Sequence, residues 1–159
     1  MYPGALYVLL GAALLISLVS DLRFRRIYDV VTWPAILGAL ALRWWAEGVG
    51  DWDQGLSSGL LGAAAAALVF GGVALVSRGV GWGDVKLLVA VGAAVGVPLV
   101  LTVMVAISVV GAVQAIAIVL WQSRARKGQT NSGALGRHIP YGVAIALGTA
   151  WAVWSSARN

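Results

Sequence analysis

The sequence predicts an all-α, polytopic membrane protein of about six transmembrane helices, with both termini on the extracytoplasmic side. Three observations lead there. The chain of 159 residues is 60% hydrophobic before its 21 glycines are counted. Only 11% is charged, against roughly 25% in soluble domains. The apolar residues fall in long uninterrupted runs separated by short charged loops, so the solvent implied is a lipid bilayer. A length of this order predicts one domain over residues 1–159. The net charge of +5 does not point to nucleic acid, because the basic residues sit in clusters between apolar runs, where they act as topology signals. With no cysteine in the chain, disulfides, a Cys-based zinc site and thiol catalysis are excluded. No metal or cofactor is expected.

A crossing needs about 20 apolar residues for a hydrocarbon core of roughly 30 Å, and six segments qualify. The first, 2–20, carries no charge and lacks the basic start of a secretory signal, so it reads as a retained anchor. It ends at Asp21-Leu22-Arg23-Phe24-Arg25-Arg26. The second, 30–46, holds Arg43 near its far end, where a long side chain is expected to snorkel to the interface. A small acidic loop, 47–53, follows. The third, 55–77, contains Gly55-x-x-x-Gly59, a spacing that lets a neighbouring helix approach closely. Arg78 and Gly79-Val80-Gly81-Trp82-Gly83-Asp84 interrupt the apolar run. Residues 85–122 carry only Lys86 and are too long for one crossing; Gly96-Val97-Pro98 is the expected turn between helices four and five. The basic loop 123–138 leads to a sixth helix at 139–155.

Cytoplasmic loops collect Lys and Arg. Six crossings with an outside N-terminus put Arg23, Arg25, Arg26, Arg78, Lys86, Arg124, Arg126, Lys127 and Arg137 inside, nine of the eleven basic residues. Arg43 and Arg158 fall outside, with Glu47, Asp51 and Asp53. Tryptophans should then mark both interfaces: Trp33, Trp82 and Trp121 the inner, and Trp44, Trp45, Trp52, Trp151 and Trp154 the outer.

The chemistry-bearing inventory is short. Asp21, Asp29 and Asp84 lie at the inner boundary, and acids against a bilayer are costly enough to suggest function. Asp84 opens helix four, where it would also serve as an N-cap; paired Gly81 and Gly83 leave clearance for an extended peptide backbone. Asp21 stands at a helix C-terminus, where a carboxylate is electrostatically disfavoured. Two such acids on one side of a bundle are the minimal apparatus of an aspartic protease, one activating water and the other donating a proton to the departing amine. Glu47, Asp51 and Asp53 read as a solvated loop, and His138 as an interfacial side chain.

These residues resemble the type IV prepilin peptidases and preflagellin peptidases. Gly81-Trp82-Gly83-Asp84-Val85-Lys86 is similar to the family's G-x-G-D-x-K signature. Ser20-Asp21 with its basic stretch matches the first catalytic Asp, and Ile139-Pro140-Tyr141-Gly142 resembles the closing motif. The resemblance implies Asp21 and Asp84 as the catalytic pair, supported by Gly81, Gly83 and Lys86. It implies prepilin or pilin-like precursors as substrates, their basic leader cut at the cytoplasmic face of the inner membrane. Ile27-Tyr28-Asp29 stands where the family commonly has Ile-Pro-Asn, losing the fixed φ of proline. The paired-Cys segment of larger members is missing, so this is expected to be the short peptidase-only form without N-methyltransferase activity. A small proton-coupled transporter is the rival reading, and a non-catalytic pilus-assembly scaffold the third. The oligomeric state is left open.

Overall fold

Leu6, Leu10 and Leu14 recur at a spacing of four and are all buried, which is the inward stripe of a helix. The stripe belongs to α1 (Tyr2–Phe24). The computed structural model describes residues 2–24, 27–76, 81–125, 141–156 and 158. Among them helix is the only regular secondary structure, with α2 (Asp29–Glu47), α3 (Gly55–Val76), α4 (Trp82–Ala125) and α5 (Tyr141–Ser156) following α1. The expected fourth and fifth helices are thus recorded as one helix. Of the residues expected at the inner face, Arg25, Arg26, Arg78, Arg126, Lys127 and Arg137 lie outside the described residues, as does His138.

At 44 residues, α4 would be about 66 Å long if straight, but Gly96 breaks it with φ 70° and ψ −175°. Contacts on either side show that the chain turns back there. Gly83, early in the first arm, lies against Ile27, whereas Gly92 faces Gly62 of α3. In the second arm Ile107 packs on Gly148 and Gly111 lies beside Ala144, so this arm runs antiparallel to α5 towards the level of Gly142 and Asp21. The turn expected at Gly96-Val97-Pro98 is therefore present, as a tight break between two helical arms.

The break leaves backbone groups to satisfy, because Pro98 has no N–H with which to answer the carbonyl of Ala94. Arg43 answers it. Its Nη2 donates to Ala94 O at 2.9 Å, and Nη1 lies 3.4 Å from Gly55 O. The Val97 N–H donates to Ser58 Oγ at 3.0 Å. Arg43 is 7% exposed, so the expected snorkelling is overturned. A cation at the C-terminal end of a helical arm is favoured by the dipole, and the orphaned carbonyl draws it inward.

Glycine makes this packing possible. A Cβ on Gly62 would lie 2.3 Å from Gly92 O, and one on Gly59 would lie 2.8 Å from Arg43 Cδ. The close approach expected of Gly55-x-x-x-Gly59 is thus realised at Gly59 and extends to Gly62. At the same end Glu47 Oε2 accepts the Gly55 N–H at 2.7 Å, placing a carboxylate at the positive start of α3.

The core joins the α1 stripe to Leu87, Leu88 and Val91 of the first arm, Val103 and Ile107 of the second, and Ile145 of α5. Large apolar side chains also cover the outside; Val8, Leu68, Leu75, Leu101 and Val113 are all exposed. Three helices are long and apolar enough to cross a membrane, over Gly4–Asp21, Gly55–Val76 and Trp82–Trp121. All eight tryptophans are exposed, as interfacial belts require and core packing does not.

Candidate functional site

Asp21 and Asp84 each end an inward stripe. Ser17, one turn before Asp21, is 1% exposed and continues the line of Leu10 and Leu14. Leu87, Leu88 and Val91 follow Asp84 by three, four and seven positions and are buried. Helical periodicity therefore directs both carboxylates towards the bundle, and both are half-buried. Arg23 and Phe24, off the stripe, are exposed.

The structure supplies the reason that Asp21 lacked. It lies one turn inside α1, and its Oδ2 accepts the backbone N–H of Gly142 at 3.1 Å. Gly142 is the second residue of α5, so the carboxylate that is disfavoured at the end of its own helix sits at the positive start of another. A Cβ on Gly142 would lie 2.7 Å from Asp21 Oδ2. Glycine is needed for that approach. Ile139 and Pro140 of the closing motif lie outside the described residues, but Gly142 is brought to the site.

Asp84 is the third residue of α4 rather than its N-cap, a position held by Gly81. Its Oδ2 accepts the Gly81 N–H at 3.1 Å, the reach-back half of a capping box. Each aspartate thus takes one backbone N–H at the start of a helix.

The turn between α1 and α2 closes against this helix start. Tyr28 is extended, with φ −86° and ψ 134°, close to the proline value of roughly −65°. The residue that replaces proline therefore reaches a similar backbone, and its ring meets Phe24 edge-on at 6.4 Å. Ile27 fills the space beside Gly83, where a Cβ would come within 3.0 Å of Ile27 Cβ. The clearance expected there for a substrate backbone is taken by the chain itself. At Gly81 the atom nearest a Cβ is Asp84 Oδ2, at 3.2 Å.

Lys86 Nζ lies 2.7 Å from both carboxylate oxygens of Asp29. The sequence signalled each residue separately, Lys86 by its motif and Asp29 by its place among the inner acids, but not their pairing across 57 positions. Ser17 went unnoticed, since an isolated serine in an apolar run gives no signal. Among the described residues no group of three or more His, Cys, Asp or Glu is placed to hold a metal ion.

Comparison with known proteins adds one finding. A family model described as the type IV leader peptidase family matches residues 8–116, a span that contains Asp21, Asp29, Gly81, Gly83, Asp84 and Lys86. No curated protein and no solved structure matches the chain.

Proposed function

Because the chain belongs to the type IV leader peptidase family, we propose that it is a membrane-embedded aspartic endopeptidase that removes the basic leader from type IV prepilin-like precursors, with Asp21 and Asp84 as its catalytic pair. One observation carries this reading: both aspartates end inward stripes at the same end of the bundle, beside the turn that links α1 to α2 and the start of α5. In the reaction one ionised carboxylate takes a proton from water, and the hydroxide equivalent attacks the scissile carbonyl. The other, protonated, passes its proton to the leaving amine as the C–N bond breaks.

With the two arms of α4 counted separately there are six helical segments, which we read as six crossings with both termini opposite the aspartates. The first arm, 82–95, is about 20 Å long, shorter than a hydrocarbon core of roughly 30 Å. Its ends therefore lie close to or within the apolar layer, which accounts for the internal satisfaction of the break at Gly96. Phe24, Trp82 and Tyr141, which flank the basic segments in sequence, are at the aspartate ends of their helices, so the positive-inside rule favours that side as cytoplasmic. There a pilin leader would meet the two acids just before its hydrophobic helix enters the bilayer.

The test is co-expression with pilin-like precursors and a leader-sized mobility shift. Asp21→Asn and Asp84→Asn should each lower the cleavage rate by about 10²–10⁴-fold while membrane insertion is retained. Cleavage at the parental rate in either variant overturns the assignment, and proton-coupled solute flux without cleavage would favour a transporter instead.

A further inference from the structure

We infer that Asp29 and Lys86 form one positioning pair, tying the turn that follows Asp21 to the helix start that carries Asp84; this rests on the reading of those two aspartates as the reacting groups. The lysine ammonium lies 2.7 Å from each Asp29 oxygen. Electrostatics explains why the two need each other. Asp29 is in the first turn of α2, where an anion is favoured, but Lys86 is near the start of α4, where the helix dipole opposes a cation. Asp29 supplies the counter-charge that Lys86 lacks from its own helix.

The ionic contact does not stand alone. Two residues before Asp29, Ile27 packs into the space beside Gly83, and Gly83 precedes Asp84. One apolar and one ionic contact therefore fasten the same turn to the same helical turn, on either side of Asp84 in sequence. α1 ends three residues beyond Asp21, whose carboxylate accepts the Gly142 N–H. A shift of the turn along α4 would move the end of α1, and with it Asp21, relative to Asp84. Displacements of about 1 Å cost catalysis heavily.

The side chains of Lys86 and Asp29 are 39% and 58% exposed. Exposed ion pairs contribute little to global stability, so the consequence belongs to register rather than to folding. It is also a property of this chain's own residues, because an asparagine at position 29, as the resembling family commonly has, would offer an amide instead of a full charge.

A double-mutant cycle separates positioning from simple loss of a charge. Asp29→Asn and Lys86→Met should each lower kcat about tenfold with KM within about twofold, and the double variant should fall no further. Their melting temperatures in detergent should stay within about 3 °C of the parent. A second readout needs no substrate. The chain has no cysteine, so Ile27→Cys with Gly83→Cys creates the sole thiol pair, near the Cβ spacing of roughly 3.5–4.5 Å that a disulfide requires.

Oxidative cross-linking of that pair should slow about fivefold when Asp29→Asn or Lys86→Met is added, with no further slowing when both are. Parental cross-linking rates in the single variants, or losses of kcat that multiply to about a hundredfold in the double, overturn the pair. If cross-linking is coupled but Asp21→Asn still cuts at the parental rate, the catalytic reading fails while the tie between turn and helix stands. If Asp21→Asn and Asp84→Asn abolish cutting but the cycle is additive, the reverse holds.

Discussion

The two ends of the bundle use polar side chains in opposite ways. At the break in α4, Arg43 and Ser58 are buried and spend their hydrogen-bonding capacity on backbone groups orphaned by Gly96 and Pro98. At the other end Asp21 and Asp84 are half-buried, and Asp29 and Lys86 are substantially exposed. A carboxylate has about four lone-pair sites, so one N–H bond orients Asp21 without exhausting it. The difference teaches that charge within an apolar sequence has two distinct sources. One is backbone that must be satisfied away from water; the other, on the proposed reading, is a surface kept polar for chemistry. Damage at the first end should appear in stability, and damage at the second in rate.

The largest effect that would test this division is expected at Gly62. Its missing side chain lets the backbone of α3 touch that of α4, and a Cβ would lie 2.3 Å from Gly92 O and 3.0 Å from Gly96 Cα. Neither neighbour is a flexible side-chain tip, so α3 and the first arm must separate. Gly62→Val should abolish accumulation of folded protein in the membrane, as read by protease resistance and monodispersity in detergent. Gly71→Val, at a glycine whose Cβ would meet nothing within 4 Å, should accumulate normally. Equal accumulation of the two would break the claim that this end is held by backbone-to-backbone contact.

Arg43 comes next in size. Arg43→Ala removes a buried side chain and leaves the carbonyl of Ala94 unanswered, at roughly 1–3 kcal/mol for an orphaned group. Relief of a buried cation offsets part of that, since no salt bridge to Arg43 is present among the described residues and its buried Nε has no hydrogen-bond partner. A net loss of about 2 kcal/mol in SDS titration is expected. Arg43→Met sharpens the result, because it keeps apolar bulk while removing the donors. A methionine variant as stable as the parent would show that the guanidinium fills space and nothing more.

The apolar architecture was legible because it is periodic. The spacing of Leu6, Leu10 and Leu14 and the long uncharged runs required only helical geometry and the thickness of a bilayer, and Gly96-Val97-Pro98 announced a break through residues that resist helix. The partners were not legible where one of them is backbone. Arg43 was expected at the interface because the carbonyl that draws it inward belongs to Ala94, 51 positions away, and is orphaned only by Pro98. Asp21 looked misplaced at the end of α1 for the same reason: the N–H that makes the position favourable is 121 positions away. The resemblance marked Asp21 and Asp84 as a pair. Pattern along the chain had no means of finding Asp29 opposite Lys86, which depends on how the turn after α1 lies over α4.

Ser58 gives the smallest and most discriminating contrast. Its side chain is fully buried, and its Oγ accepts the Val97 N–H just after the break, a donor whose helical acceptor is lost when Gly96 leaves helical φ/ψ. Ser58→Ala changes volume by a single oxygen, so the packing of α3 on α4 is largely kept and the hydrogen bond is isolated. A loss of about 1 kcal/mol, towards the low end of the range for an orphaned donor, is expected in the same SDS titration. Neighbouring Ser57, in the first turn of α3, donates its Oγ–H to the carbonyls of Asp51 and Gln54 in the preceding loop and is exposed to solvent at those hydrogen bonds; Ser57→Ala should shift the midpoint by less than about 0.5 kcal/mol. Cleavage by Ser58→Ala, measured well below its unfolding midpoint, should match the parent, because the serine lies at the end of the first arm remote from Asp84. A rate loss at unchanged stability would instead mean that the break transmits its geometry along that arm to the aspartates, and the two ends would have to be treated as one device.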